Sequence, residues 1–310
     1  MRRLYFIGFV FPLFSFFLLS TSGCSTTKSV IKKIVPESVA KRIKHSKSDL
    51  KKRVMILPLI DQSGLGSEKT IQISESFVEL LMKSSHLLLF RPPKGVITLS
   101  ESKVSQLGIV TPGSDLIKKA DDLGITAIIT GVVNPVEVIT RKTGIWPLRK
   151  PSKIYEISVV INAFDIMSHT LLLTNLESEK GSVPLEKAET QSETEFIDQL
   201  LTTAMPRILK RQASAISKKL LNDPWIGKIL AIENGTIKIN AGRDIGLRLG
   251  QHFAVFSTGE SISSEEGRSF DLSGNKIGEI SVNSIMEDHA LAIPLIEGSF
   301  LPGQAIRIIP

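Results

Sequence analysis

The chain has 310 residues, of which 42% are hydrophobic and 22% charged, and it contains one cysteine. Its length exceeds the ~100–200 residues of a typical domain, so two folded domains are expected, and the lone cysteine excludes an internal disulfide. The net charge of +7 is local: residues 25–53 carry +8, whereas residues 54–310 carry −3. A folded body without excess positive charge argues against a nucleic-acid-binding function.

The N-terminus has the pattern of a secretory signal peptide over residues 1–23. Two arginines precede an apolar run of about 15 residues, which is short for a membrane-spanning helix of ~20 residues. Small residues then lead to Cys24. This junction resembles the bacterial lipobox, although Thr21 stands where Leu or Val is usual.

The lipobox resemblance implies that Cys24 becomes a fatty-acylated N-terminus, with palmitate among its acyl groups. The alternative is an ordinary cleavage site beside a free thiol. Acylation predicts a lipoprotein in the cell envelope that faces the periplasm, and Ser25 is compatible with sorting to the outer membrane. Residues 24–53 would form the lipid anchor and a basic tether, which either lies on anionic headgroups or is a solvated, extended linker.

Residues 54–222 have the pattern of a mixed α/β domain. The predicted strands cover residues 53–59, 86–90, 125–138, 153–165 and 171–181. The predicted helices cover residues 68–85, capped by Ser67, 114–123, ended by Gly124, and 193–221, broken or kinked at Pro206.

The series of strands and glycines around residues 123–131 and 159–165 resembles a known bacterial fold. It is shared by the TolB N-terminal domain, the curli secretion lipoprotein family and the lipoprotein activators of penicillin-binding proteins. The resemblance implies an envelope protein that binds other proteins, with no enzymatic activity and no cofactor.

Residues 225–310 have short strands separated by glycine turns, which predicts a small all-β barrel. An internal echo suggests two related halves. Residues 226–229 return as residues 277–280, and residues 249–251 return as residues 302–304. The offsets of 51 and 53 residues predict a two-residue insertion between the copies.

Residues 239–256 and 277–282 resemble the C-terminal domain of flagellar assembly protein T. Gly242, Gly246 and Gly250 lie where tight turns favour glycine. The family's order of domains is the same, but a lipid anchor and tether replace its extra N-terminal domain. The resemblance implies a role in building a periplasmic ring and suggests homo-oligomers.

A search for catalytic and metal-binding patterns gives no candidate residue. The five histidines are scattered without metal-ligand spacing, so no metal site is predicted. Residues 63–70 lie where a phosphate-binding loop would lie, but a helix-capping loop fits their sequence better. Asp121 and Asp122 are a carboxylate pair on the solvated face of a helix. The chain is therefore expected not to be an enzyme.

Residues 142–150 are predicted to form a long basic loop between strands. Trp146 and Arg149 in this loop are the candidate partner-binding residues, for a protein or for lipid. The alternative is a tryptophan folded back onto the sheet. The surrounding residues 138–154 also occupy the position of a membrane hairpin in a curli-type secretion pore, but their many cations make a poor lipid-facing strand.

The predicted fold class is α+β, with a mixed α/β sandwich followed by a small barrel. The predicted function is that of a non-enzymatic, lipid-anchored periplasmic scaffold or assembly factor, with flagellar ring assembly as one assignment. The alternatives are a lipoprotein activator of a peptidoglycan synthase and a subunit of a curli-type pore. The expected partners are the membrane and envelope proteins, from the flagellar basal body or the cell-wall synthases.

Overall fold

The computed structural model describes residues 50–92, 103–105, 108–190, 192–263, 269–296 and 298–309. Residues Lys47–Pro310 form one compact unit. Cys24, the signal peptide and the tether before Leu50 lie outside the described residues, so their interpretation stays a prediction.

A seven-stranded mixed sheet occupies the first part of the described chain. Its seven strands are β1 (Lys52–Ile56), β2 (Ile60–Asp61), β3 (Leu87–Phe90), β6 (Ala127–Val133), β7 (Glu137–Thr143), β8 (Lys150–Asp165) and β9 (Leu171–Pro184). Two further strands, β4 (Lys103–Val104) and β5 (Val110–Thr111), form a separate two-stranded sheet. The order is β3-β1-β6-β8-β7, with β9 paired to β8 and β2 to β6. Every residue of β1 and β6 is buried because neighbouring strands and helices cover both edges and both faces.

Helices cover both faces of this sheet. They are α1 (Ser67–Met82), α2 (Ser114–Asp122), α3 (Leu185–Ala188) and α4 (Glu193–Asn222). Phe77 of α1 and Ile208 of α4 pack with Val54 on one face, whereas Leu116 of α2 packs with Met55 on the other. The alternation of Val54 and Met55 follows from the two-residue period of a strand. The predicted mixed α/β sandwich is confirmed.

Several local predictions need correction. Helix α4 continues through Pro206, so the predicted break is absent. Gly66, not Ser67, is the N-cap of α1, and no side chain caps that end. The predicted strand over residues 125–138 is two strands, because β6 ends at Val133 and β7 starts at Glu137. Gly124 does follow the end of α2, with the positive φ of 68° that glycine adopts readily.

The second part of the chain is a closed barrel of six strands among the described residues, which confirms the predicted small all-β barrel. Its strands are β10 (Ile226–Glu233), β11 (Thr236–Ile239), β12 (His252–Ser263), β13 (Ser269–Ile285), β14 (Ala290–Ile296) and β15 (Ala305–Ile308). They close in the order β10-β11-β14-β13-β12-β15. A 3-10 turn at Arg243–Ile245 departs from the expectation that this part has no helical stretch.

The strand register shows that the barrel consists of two related halves. Ile229 pairs with Ile239, and Val282 pairs with Ala292, so the pair recurs 53 residues later. Each half has an irregularity in register directly after this pair. The offset of 53 residues also relates β12 to β15. Exchanging the two halves by this offset leaves the closed order of the strands unchanged.

The glycine turns before β12 and β15 are equivalent, and each binds the strand of the other half. The amide of Gly250 donates to the Val282 carbonyl and that of Gly303 to the Ile229 carbonyl, both over 2.8 Å. The predicted repeat is therefore real, but its predicted two-residue insertion is wrong. The offset is 53 residues at both positions, and the similarity of residues 226–229 to residues 277–280 is coincidental.

An arginine at the start of the sheet joins the sheet to the barrel. Arg53 of β1 is buried, and its guanidinium donates to both carboxylate oxygens of Asp244 over 2.7 and 2.8 Å. It also donates to the carbonyls of Asn240, over 2.9 Å, and Asp288, over 2.6 Å. Four hydrogen bonds therefore satisfy a charge that burial would otherwise destabilise.

Two ion pairs and one buried apolar side chain lie near the same junction. Lys52 pairs with Asp223 over 2.6 Å, and Lys228 of the barrel pairs with Asp121 over 2.5 Å. Leu50 is buried in the barrel core. Lys52 and Arg53, which the sequence pattern assigned to the tether, are thus buried parts of β1.

Candidate functional site

The structure locates the side chains that the search for catalytic and metal-binding patterns considered. They contain no group of three or more His, Cys, Asp or Glu side chains that would hold a metal ion. His86 lies 3.0 Å from the carbonyl oxygen of Ser217, and Asp121 is engaged by Lys228. Both side chains therefore make structural contacts.

No side chain caps α1, but the Asp61 carboxylate organises the loop before this helix. The Asp61 carboxylate accepts hydrogen bonds from the Ser63 amide and hydroxyl and from the amides of Gly64 and Gly66. Burial alone would raise the pKa of Asp61, but these hydrogen bonds outweigh it and hold that pKa below its ordinary value. The carboxylate occupies the loop amides that a phosphate would need.

The predicted long loop at residues 142–150 is in fact the end of a β-hairpin. Strand β7 pairs antiparallel with β8, from Glu137 opposite Glu156 to Thr143 opposite Lys150. Strand β7 is an edge strand, because β8 is the only described strand that it pairs with. Every residue of β7 before Thr143 is exposed. Residues 138–143 include Val, Ile and Thr, which are favoured in strands, so the sequence held a usable signal for β7. Sequence reasoning instead ended the strand at Val138 and placed a basic loop from residue 142.

The tip of the hairpin exposes three large apolar side chains. Ile145, Trp146 and Leu148 are 86%, 77% and 83% exposed. The Leu148 amide donates to the Ile145 carbonyl over 2.8 Å, and this bond closes the turn. Trp146 is therefore not folded back onto the sheet. Sequence reasoning missed Ile145 and Leu148, although their apolar character in a Gly- and Pro-containing turn was a usable signal.

A set of exposed cations surrounds this tip, which we call the basic collar: Arg141, Lys142, Arg149 and Lys150. None of the four forms an ion pair within the described part of the chain. The sequence has no Asp or Glu between Glu137 and Glu156. The hairpin thus combines an apolar tip with uncompensated positive charge.

The second exposed surface is a groove between α1 and α4 with a volume of about 660 Å³. Its apolar lining is Leu65, Ile73, Leu80, Leu201, Met205 and Leu209. Charged side chains line it as well. Lys69 and Asp198 pair over 2.7 Å near the N-terminal ends of the two helices, whereas Lys83 and Lys210 line the other end.

Pro206 gives this groove a polar feature. Both Pro206 and Thr202, four residues earlier in α4, line the groove. Proline has no N–H to donate to the carbonyl of the residue four positions earlier. The Thr202 carbonyl therefore lacks its normal helical donor beside an apolar cleft.

Comparisons with known proteins give structural likeness only. No family model and no curated protein matches the chain. A solved structure of the hypothetical protein CT253 from Chlamydia trachomatis is 17% identical, covering 55% of this chain and 96% of its own, with a TM-score of 0.35.

Two further similar structures are those of named bacterial proteins. Lipoprotein GNA1162 from Neisseria meningitidis is 16% identical over 56% of this chain and 99% of its own, with a TM-score of 0.27. TolB from Acinetobacter baumannii is 12% identical over 78% of this chain and 57% of its own, with a TM-score of 0.28. The similar structures thus include a bacterial lipoprotein and TolB. At these scores the likeness carries no inference about partners.

No helix in the described ranges is both long and apolar enough to cross a membrane.

Proposed function

We propose that this chain is a non-enzymatic, lipid-anchored envelope scaffold or assembly factor, and that the groove between α1 and α4 receives a segment of a partner envelope protein. The groove is the observation that carries the proposal. The groove has an apolar floor, the Thr202 carbonyl without its helical hydrogen-bond donor, and a charged rim. This combination suits a peptide better than a small polar substrate.

The charges of the groove specify the chemistry of its occupant. Lys69 and Asp198 neutralise each other at one end, and Glu79 is the other rim carboxylate. Lys83 and Lys210 leave the opposite end positive. A segment with apolar residues along one side and an acidic residue at one end would complement this surface.

Photocrosslinking in the producing cell tests the proposal. Ser76 lines the groove and is exposed, so a benzoylphenylalanine in its place should give a light-dependent adduct with an envelope protein. Glu75 is the matched control, since it is exposed on the same helix but does not line the groove. Absence of an adduct from Ser76, or equal adducts from both positions, would contradict the proposal.

The identity of the captured protein separates the two finer assignments. A component of the flagellar basal body would support the ring-assembly version, whereas a penicillin-binding protein would support the synthase-activator version. A Lys83→Glu and Lys210→Glu variant should weaken either adduct by reversing the charge of the positive end. A Lys118→Glu and Lys187→Glu variant, with its substitutions on α2 and α3, serves as a charge-matched control outside the groove.

A further inference from the structure

The hairpin of β7 and β8 has no role in the proposed groove and calls for its own explanation. The two tryptophans of the chain make the contrast clear: Trp225 is 4% exposed and packs against Phe253, while Trp146 is 77% exposed. Exposure of three adjacent large apolar side chains on one turn is costly in water unless a ligand covers them.

The position of the tip makes it accessible. Strand β9 ends at Pro184, opposite Ser152, so the hairpin continues beyond it as two strands alone. Residue Asp165, at the other end of β8, pairs with Ala127 beside the barrel junction. Fifteen residues of strand separate that end from Lys150, roughly 50 Å at ~3.3 Å per residue. The tip is therefore remote from the junction.

The charge of the hairpin identifies the kind of surface that it fits. The basic collar places four cations behind an apolar wedge; none of them forms an ion pair within the described part of the chain, and the sequence has no Asp or Glu from residue 138 to residue 155. At ~3.3 Å per residue, these cations lie within about 15 Å of the tip. In an anionic bilayer interface, apolar side chains and tryptophan lie at the boundary of the acyl chains, and Lys and Arg lie at the level of the headgroups. The tip and the basic collar have this arrangement.

From these observations we propose that the hairpin tip inserts into the interface of a bilayer that contains anionic lipids. Ile145, Trp146 and Leu148 enter the boundary between headgroups and acyl chains, and the basic collar binds the lipid phosphates. A protein partner is the other class of ligand, but an exposed three-residue apolar wedge with cations directly behind it fits the layered, fluid surface of a bilayer better than a preformed pocket.

Lipidation at Cys24 is compatible with this insertion. The 25 residues between Cys24 and Leu50 span at most about 85 Å when extended. The anchor and the tip can therefore engage the same leaflet, which would give the second membrane signal that stable attachment requires.

Vesicle binding tests the proposal directly. The mature chain, residues 24–310 with Cys24→Ser, excludes any contribution from an acyl chain. It is mixed with vesicles of phosphatidylglycerol and phosphatidylcholine in equal parts, and bound protein is measured by sedimentation. We expect Ile145→Ser/Trp146→Ser/Leu148→Ser to lower the partition coefficient about tenfold or more, because the buried apolar area is lost. The Arg149→Gln/Lys150→Gln variant should lower it by roughly thirtyfold, since two cations that attract the anionic surface are removed.

The basic tether is present in every variant, so it cannot account for differences among them. Trp146 supplies a readout specific to the hairpin: lipids brominated on their acyl chains should quench its fluorescence. The buried Trp225 is the internal reference, and Trp146→Phe should abolish the quenching.

Two results would overturn the proposal. One is unchanged sedimentation of the triple variant together with unquenched Trp146. The other is unchanged vesicle binding of the triple variant together with a protein adduct from a photocrosslinking residue in place of Trp146, which would assign the hairpin to a protein partner. Neither result bears on the groove, because the hairpin does not contribute to its lining.

Discussion

The barrel junction and the β7–β8 hairpin use the same residue types in opposite ways. Arg53 at the junction is buried and makes four hydrogen bonds, whereas Arg149 at the hairpin is exposed and forms no ion pair within the described chain. Trp225 packs in the barrel, and Trp146 points into solvent. A buried charge that is hydrogen-bonded within the protein stabilises the structure. An exposed charge that forms no ion pair within the described chain is available to bind a ligand.

This comparison predicts that the two regions respond differently to substitution. Changes at the junction should alter the free energy of unfolding. Changes at the hairpin should alter binding and leave the free energy of unfolding nearly unchanged.

The largest effect is expected for Arg53→Ala. It leaves the partly buried Asp244 carboxylate and two carbonyls without their donor, so the free energy of unfolding should fall by about 3–5 kcal/mol. Urea unfolding measures this change. Arg149→Ala removes the same side chain from the hairpin and should change stability by less than about 0.5 kcal/mol. Equal losses for the two variants would contradict the distinction between the regions.

A smaller effect is expected for Gly124→Ala. A Cβ at Gly124 would lie 2.7 Å from Nη1 of Arg53, which four hydrogen bonds hold in place. Overpacking and the positive φ should together cost about 1–3 kcal/mol. Gly235→Ala is the control, because it has a similar φ of 77° with nothing within 4 Å. If the control loses as much stability, the contact with Arg53 is not what constrains Gly124.

A pH effect is expected from the ion pairs between α4 and β9. The Arg211 guanidinium donates to Glu179 over 2.6 Å, and this bond is the main cause that holds the pKa of Glu179 below its ordinary 4.5. Because the folded pKa is lowered, the ion pair contributes fully above about pH 4.5 and its contribution is lost as the pH falls through the folded value.

Unfolding measured between neutral and acidic pH checks this sign. Glu179→Gln should reduce the loss of stability below pH 4.5, relative to the unsubstituted chain. Glu195→Gln, at an exposed position of α4, should leave the acid slope unchanged. A Glu179→Gln variant with an unaltered slope would show that the pair does not contribute.

The smallest effect on stability is expected at the hairpin tip. Ile145→Ser/Trp146→Ser/Leu148→Ser replaces side chains that are 86%, 77% and 83% exposed, so little packing is lost. The free energy of unfolding should change by no more than about 0.5 kcal/mol. A substantial loss in urea would mean that the tip packs against part of the protein.

Sequence patterns predicted the architecture well where burial dominates. The apolar run of β1 and the alternating face of β8 gave strands close to those observed, and Gly124 marked a real helix end. Sequence reasoning missed β7 although its Val, Ile and Thr residues favour a strand, because this exposed edge strand lacks the alternation of apolar and polar residues that marks β8. At Pro206 the predicted break is absent, because packing of α4 on the sheet outweighs the loss of one helical hydrogen bond.

The candidate surfaces were only partly predictable for the same reason. Trp146 and Arg149 were visible as a tryptophan among cations, but their exposure depended on a hairpin that the sequence did not reveal. The groove requires α1 and α4, which are more than a hundred residues apart, to lie side by side. Neither helix by itself has a sequence signal for that neighbour.

Photocrosslinking in producing cells, with the reactive residue in place of Ser76 or of Trp146, tests the account most directly. Ser76 should yield an adduct with an envelope protein, while position 146 should yield lipid adducts and no discrete protein band. Protein adducts from position 146 with none from Ser76 would contradict the account, because the two surfaces would then have exchanged roles.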